Sequence, residues 1–316
     1  MSDAMPAGRP DPESPARPAG PVAPAATERW MDVDGVWVHA VEWRPAAETA
    51  PPVVLVHGLG ASVLNWSLTG PLLARALGAR TTAVDLVGFG RTRAGGRPAS
   101  LGVNGRMVAA LLERSGPATL VGNSMGGAIA VGVAARRPDL VTRLVLVDPA
   151  LPRPPRSFDQ WQIAVRFAGL AVPALATPVV AARMRRMGPQ GVVDGTMSLS
   201  MRHPDRLDPD VRRRMVELAA ERAELGDESP RAYTQAAASL VRYVTGRMRS
   251  DLEAVGAPTL LVHGTHDRLV PVSFARAAAR ARPEWVLHEF EGCGHVPQLE
   301  RAGELVDLIA TWAAPG

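Results

Sequence analysis

The sequence predicts an α/β fold: a mostly parallel open sheet flanked by helices, interrupted by one inserted helical segment. Three observations carry that prediction. Short, unbroken apolar runs recur along the chain, as suits strands buried on both faces of a parallel sheet. Helix-period segments separate most of them. Between Asp148 and Pro258, by contrast, no convincing buried strand occurs, only a helical pattern broken by prolines.

Taken in order, residues 1–27 are rich in proline, alanine and glycine and lack a hydrophobic period, so they read as disordered and dispensable for chemistry. Order is expected to begin near Trp30. The alternation in "GVWVHAVEW" (Gly35 to Trp43) suits an early antiparallel strand. The buried runs follow as "PVVLVH" (Pro52 to His57), "TTAVDL" (Thr81 to Leu86), "ATLVGN" (Ala118 to Asn123), "RLVLVD" (Arg143 to Asp148), "PTLLVH" (Pro258 to His263) and "EWVLHEF" (Glu284 to Phe290). Helical periodicity covers Pro71 to Leu77, Leu101 to Arg114, Met125 to Arg136 and Ser273 to Arg282. Residues 28–151 and 249–316 therefore make the sheet-bearing core. Residues 152–248 make the insertion, which holds Met184, Met187, Met197, Met201 and Met215, with Met248 at its end. Its simplest place is over the carboxyl ends of the strands, where open α/β sheets bind ligands.

Composition narrows the function. The chain has 316 residues, 47% of them hydrophobic and 21% charged, which is globular usage. No apolar run approaches the ~18–20 residues that span a membrane. The opening "MSDAMPAGRPDPESPARPAG" lacks the basic start and apolar stretch of a secretion signal, so a cytoplasmic location is the default expectation. Net charge is +4, yet the isoelectric point is about 10.3, because every basic residue except histidine is arginine. The arginine clusters (Arg183, Arg185, Arg186; Arg212 to Arg214) do not alternate with aromatics and read as solvated helix faces rather than a nucleic-acid footprint. The lone Cys293 rules out an intramolecular disulfide and a multi-cysteine zinc site, and no metal or cofactor is implied.

One motif carries chemistry. In "VGNSMGG", Ser124 stands between Gly122 and Gly126, where a buried strand turns directly into a small-residue helix. Such a strand–turn–helix forces a strained serine backbone and lifts its Oγ clear of the sheet edge, and larger side chains at the glycines would strike neighbouring backbone. The bland alternative is a serine that caps the helix. A serine hydroxyl needs a base. Of seven histidines, His295 in "EGCGHVPQLE" lies on a glycine-flanked loop after the last strand, able to return to Ser124; His57 also reaches the carboxyl edge but precedes the serine. The base needs a carboxylate to hold its tautomer. Asp267, in "LVHGTHDRLVP", is preferred; Asp148, in "LVLVDPA", stays open as the second candidate, and Asp85 is expected to order the loop it begins. Backbone N–H groups of Met125 and, after "HGLG", Leu59 are placed to receive an oxyanion.

Together "HGLG", "DLVGFGRT", "GNSMGG", "HGTHDRLVP" and "GCGHVPQLE" resemble the α/β-hydrolase fold superfamily from about Gly35 to Trp312. The resemblance implies a triad of Ser124, Asp267 and His295, an oxyanion hole at Leu59 and Met125, and a cap near residues 152–248. It implies a small-molecule substrate and neither a nucleic-acid partner nor a cofactor. Thr92 stands where many relatives have serine. "GNSMGG" is similar to the version in hydrolases that cleave carbon–carbon bonds of meta-cleavage products. Those relatives usually carry tryptophan after the histidine, where this chain has Val296. An aspartate nucleophile is excluded at the elbow. Ester hydrolysis is the leading expectation, with carbon–carbon hydrolysis and a non-catalytic ligand-binding protein as alternatives.

Overall fold

The computed structural model describes residues 24–154 and 172–314. Its strands are β1 (Ala26–Val33), β2 (Val36–Trp43), β3 (Val53–Val56), β4 (Thr81–Val84), β5 (Ala118–Asn123), β6 (Val141–Val147), β7 (Thr259–Gly264) and β8 (Val286–Phe290). They form one sheet in the order β1-β2-β4-β3-β5-β6-β7-β8. From β4 to β8 every pairing is parallel, and β1 and β2 run antiparallel at one edge. The continuous apolar runs are the central strands: every residue of β3, β4, β5 and β7 is buried. Helices α1 (Thr69–Leu77), α2 (Leu101–Ser115) and α3 (Met125–Arg136) connect the first half of the sheet, and α8 (Val272–Ala281), α9 (Pro297–Glu300) and α10 (Ala302–Ala313) the second. Two apolar clusters, one on each face, sandwich the sheet.

β1 corrects the expectation that order begins near Trp30. Its side chains from Ala26 to Trp30 are exposed, so they show no buried period to read. The strand is held by its backbone ladder to β2, from Ala26 opposite Trp43 to Val33 opposite Val36. Asp34 and Gly35, both at positive φ (53° and 68°), make the two-residue hairpin turn. Residues 1–23 of the expected disordered segment lie outside the described residues.

Between β6 and β7 come α4 (Pro173–Ser200, kinked at Gly188), α5 (Pro209–Ala223), α6 (Glu228–Thr245) and α7 (Met248–Ala254), while residues 155–171 of the expected insertion are outside the described residues. Two prolines begin these helices rather than break them, Pro173 and Pro209 in the first turn, where no N–H is missed, while Pro178 and Pro189 lie inside α4, the latter directly after the Gly188 kink. The helices are tied to the loop after β4. The Arg222 guanidinium donates to the carbonyls of Gly88 (2.6 Å) and Gly90 (2.7 Å). Gln235 and Ser239 accept from the backbone of Ala99 (3.0 Å) and Leu101 (2.9 Å). Among the described residues no helix is long and apolar enough to cross a membrane.

Candidate active site

Ser124 follows β5 with φ 56° and ψ −116°, a region non-glycine residues hold at a cost of about 1–3 kcal/mol. Three backbone bonds over-determine it. Its N–H donates to the Val147 carbonyl (3.1 Å), and its carbonyl accepts from Ala128 (3.1 Å) and Ala150 (3.0 Å). The glycines leave room for the turn. A Cβ on Gly122 would sit 2.4 Å from the Gly126 carbonyl oxygen, and one on Gly126 would sit 2.2 Å from that of Val56. The half-buried Ser124 hydroxyl makes no capping bond to α3, nor any other hydrogen bond among the described residues. The capping role is therefore not what this serine does.

His295 and Asp267 come from loops after β8 and β7. His295 Nδ1 donates to Asp267 Oδ2 at 2.6 Å, which leaves Nε2 with its lone pair. Asp267 Oδ1 accepts from the backbone of Leu269 (2.7 Å) and Val270 (3.0 Å), so local turn chemistry aims the other oxygen. Burial pushes the Asp267 pKa up, but the His295 and His263 imidazoles more than offset this and hold it below the usual carboxylate range. The loop bearing His295 is fastened on three sides. Its N–H donates to the Ser200 carbonyl (2.6 Å) at the end of α4, and its carbonyl accepts from Asn123 Nδ2 (3.1 Å). Glu300 accepts from Gly294 (2.9 Å) and, across to the insertion, from Arg202 (2.9 Å). Gly264 permits the approach, since a Cβ there would lie 2.1 Å from the Gly294 carbonyl oxygen. Asp267 and His295 are thus in contact, and His295 is bonded through its backbone to the neighbour of Ser124. Among the described residues no hydrogen bond joins the Ser124 hydroxyl to His295, and the link between them runs through the Asn123 side chain.

The "HGLG" turn packs on the serine: a Cβ on Gly58 would stand 3.1 Å from Ser124 Cβ. Leu59 is the next residue. Neither its N–H nor that of Met125, at the N-terminus of α3, has a partner among the described residues. His57, the competing histidine, is structural. Its Nδ1 donates to the Gly58 carbonyl (2.8 Å) and its Nε2 accepts from Leu86 (3.0 Å), which leaves no nitrogen for chemistry.

Asp85 orders its loop as expected, accepting from Val63 (2.8 Å) and Arg91 (2.8 Å) and also from His39 Nδ1 (2.6 Å). Thr92 Oγ1 accepts from the His39 N–H (2.9 Å), a bond serine could equally make. Cys293 is fully buried, and burial pushes its thiol pKa up, away from thiolate chemistry. Met197, Met201 and Met215 pack with Leu64, Val211 and Val296, placing part of the insertion's apolar interior directly behind His295. Asp148, His263 and Asp267 offer ligand atoms within 4.8 Å of one another, though Asp267 is already committed to His295. Sequence reading missed Asn123, Glu300 and Ser200. Asn123, beside Ser124 in the motif, was the one signal available.

A family description, "alpha/beta hydrolase fold", matches residues 51–302. The chain is 30% identical over 266 residues to a pimeloyl-[acyl-carrier protein] methyl ester esterase of Aromatoleum aromaticum, covering 82% of this chain and 96% of the esterase. It is 27% identical over 295 residues to a 2-hydroxymuconate semialdehyde hydrolase of Pseudomonas sp. (strain CF600), covering 83% and 87%. Among solved structures, a meta-cleavage product hydrolase from Pseudomonas fluorescens IP01 superposes with a TM-score of 0.67 at 22% identity, covering 90% of this chain and 96% of that one; this likeness concerns the fold alone.

Proposed function

The chain belongs to the alpha/beta hydrolase fold family, and from that premise we propose that it is a serine hydrolase cleaving a carboxylic ester of a small apolar or amphipathic molecule. Ser124 Oγ attacks the ester carbonyl carbon while His295 Nε2 takes its proton. The N–H groups of Leu59 and Met125 receive the negative oxygen of the tetrahedral intermediate. His295 then gives the proton to the leaving alkoxide oxygen, so alcohol departs and the acyl group stays on Ser124. Water attacks the acyl-serine, His295 accepts and returns a proton again, and the acid is released. Asp267 holds the Nδ1–H tautomer and stabilises the imidazolium formed in each half.

The observation that carries this reading is the buried Asp267–His295 pair at 2.6 Å, on a loop bonded to the residue before a strained serine whose hydroxyl is otherwise unused. The division into a core of 28–151 and 249–316 with a cap at 152–248 belongs to the same proposal. The cap's buried methionines supply an adaptable apolar wall.

Carbon–carbon hydrolysis of a dienoic keto acid is the second reading. Its support is the likeness to the 2-hydroxymuconate semialdehyde hydrolase of Pseudomonas and to a 2-hydroxy-6-oxo-6-(2'-aminophenyl)hexa-2,4-dienoic acid hydrolase of Metapseudomonas resinovorans, 27% identical over 301 residues. Val296 argues against it, and the esterase relative favours the ester. A fluorophosphonate probe should label the wild type and not Ser124→Ala, and aryl-ester turnover should fall at least ~1,000-fold in that variant. Turnover of a ring-cleavage product but not of esters would transfer the assignment to the second reading. Absence of labelling in the wild type would leave only a ligand-binding role.

A further inference from the structure

Asp148 ends β6 at φ 43°, a strained conformation for a residue with a side chain, and that side chain is fully buried. Its Oδ1 accepts from the Gly264 N–H at 2.9 Å. Its Oδ2 is buried with no donor to accept from among the described residues. An ionised oxygen left so would be costly. Three groups face it from the neighbouring elements. Cys293, on the loop carrying His295, is a buried neutral thiol. His263 Nε2, on β7, lies 3.7 Å from Asp148 Oδ1 and 3.4 Å from Asp267 Oδ2, with the Val270 carbonyl 2.8 Å away. Burial opposes the charge on His263, but the two carboxyl groups raise its pKa. The third is the Asp267 carboxylate, in a cluster where ligand atoms of Asp148, His263 and Asp267 lie within 4.8 Å of one another.

Two carboxylates sharing a buried site cannot both ionise. Asp267 has the better claim to the charge, since it accepts from Leu269, Val270 and His295 Nδ1. Asp148 accepts one backbone N–H. A proton on Asp148 Oδ2 would turn the unpartnered atom into a donor, and Asp267 is the carboxylate of the same cluster that can accept from it. Burial is the leading cause that raises the Asp148 pKa well above its ordinary value, and the neighbouring Asp267 charge adds to it, against the lowering influence of His263 and of the Gly264 N–H.

We propose that Asp148 is the neutral acid of this carboxyl pair and a positioning residue, its Oδ2–H donating to Asp267 and thereby fixing the charge and aim of the carboxylate that holds His295. The inference rests on Asp267 and His295 being the proton-handling pair, while the placement of the proton can be read without turnover. It replaces the open choice between Asp148 and Asp267 with a division of labour: one carboxyl is charged and touches the imidazole, and the other is neutral and supports it.

The test joins infrared spectroscopy to the pH dependence of kcat/KM on an aryl ester, for the wild type, Asp148→Asn and Asp148→Ala. The wild type at pH 7 is expected to show the carbonyl stretch of a protonated carboxyl group, and Asp148→Asn to lack it. The amide of Asp148→Asn keeps both a donor for Asp267 and an acceptor for Gly264, so the acid limb should stay where the wild type has it, with kcat/KM lowered less than ~5-fold. Asp148→Ala removes the donor and leaves Asp267 more basic, so the acid limb should move up and kcat/KM fall ~10–100-fold. A merely structural role would lower activity without moving that limb. The proposal is overturned if the wild type lacks the protonated band at pH 7, or if Asp148→Asn moves the acid limb down by about half a unit or more, as removal of a negative charge near His295 would do. If Asp148→Asn fails to fold, the titration of the wild-type band decides alone. A band present without ester turnover supports the proton placement and counts against the proposed reaction, so the two failures are distinguishable.

Discussion

The chain holds two buried aspartate–histidine pairs of equal length. Asp267–His295 and Asp85–His39 both close through Nδ1 at 2.6 Å. What differs is the surroundings of the second ring nitrogen. His295 lies on a loop bonded to Asn123, next to the elbow serine and two backbone N–H groups without partners. His39 is locked inside β2, where Thr92 holds its backbone. Its Nε2 has no hydrogen-bond partner among the described residues and lies 3.9 Å from a Glu28 carboxylate oxygen. His39 lines a cavity of about 90 Å³ with Glu28, Arg91, Arg214 and Glu217, and none of the described lining residues carries a hydroxyl. Both aspartates also accept two backbone N–H groups, but Asp85 Oδ2 is shared between His39 and the Arg91 N–H, whereas the backbone bonds to Asp267 fall on Oδ1 and leave Oδ2 to the imidazole side. Under the proposed reaction the same two side chains at the same distance serve as chemistry in one place and as architecture in the other, and a nearby nucleophile and oxyanion site decide which.

Substitutions can break or sharpen that contrast. The largest effect is expected from Asp267→Asn, which keeps the shape but presents the wrong hydrogen-bonding group to Nδ1; kcat/KM should fall ~1,000–10,000-fold with the fold intact by circular dichroism. His39→Gln should change kcat/KM less than ~5-fold while lowering unfolding stability by about 1–3 kcal/mol in urea titration, since a buried charge-assisted bond is lost. An equal loss of activity from both would erase the distinction between the two pairs.

The smallest effect concerns His57, which is buried between the Gly58 carbonyl and the Leu86 N–H. Burial is the leading cause of its lowered pKa, against the raising influence of Asp85. Because the folded value is below the unfolded one, its contribution to stability is complete above the unfolded value of about 6.5 and is lost as pH falls from there toward the folded value. Denaturation midpoints of the wild type should therefore decline between pH 7 and pH 5, and His57→Gln should flatten that decline.

How much of this was legible in the sequence varies with the distance over which each feature is decided. The central strands could be read because both faces of β3, β5 and β7 are buried, so no polar residue interrupts them. β1 could not, because its outward side chains are exposed and only its pairing with β2 orders it. Ser124 was legible because its turn needs glycines two residues to either side. His39 reads as an ordinary strand histidine, since Asp85 lies 46 residues further along.

The sequence by itself determined the buried strands, the elbow around Ser124 and the turn that presents Asp267, since periodicity, close backbone approach and turn chemistry act across a few neighbouring residues. Only the tertiary structure decided which aspartate meets which histidine, that Asn123 holds the carbonyl of a residue 172 positions away, and that Asp148 is left with an oxygen no donor reaches among the described residues. Those outcomes depend on how strand ends converge at one rim of the sheet, and no local pattern encodes a contact between segments that meet only after the whole sheet has formed.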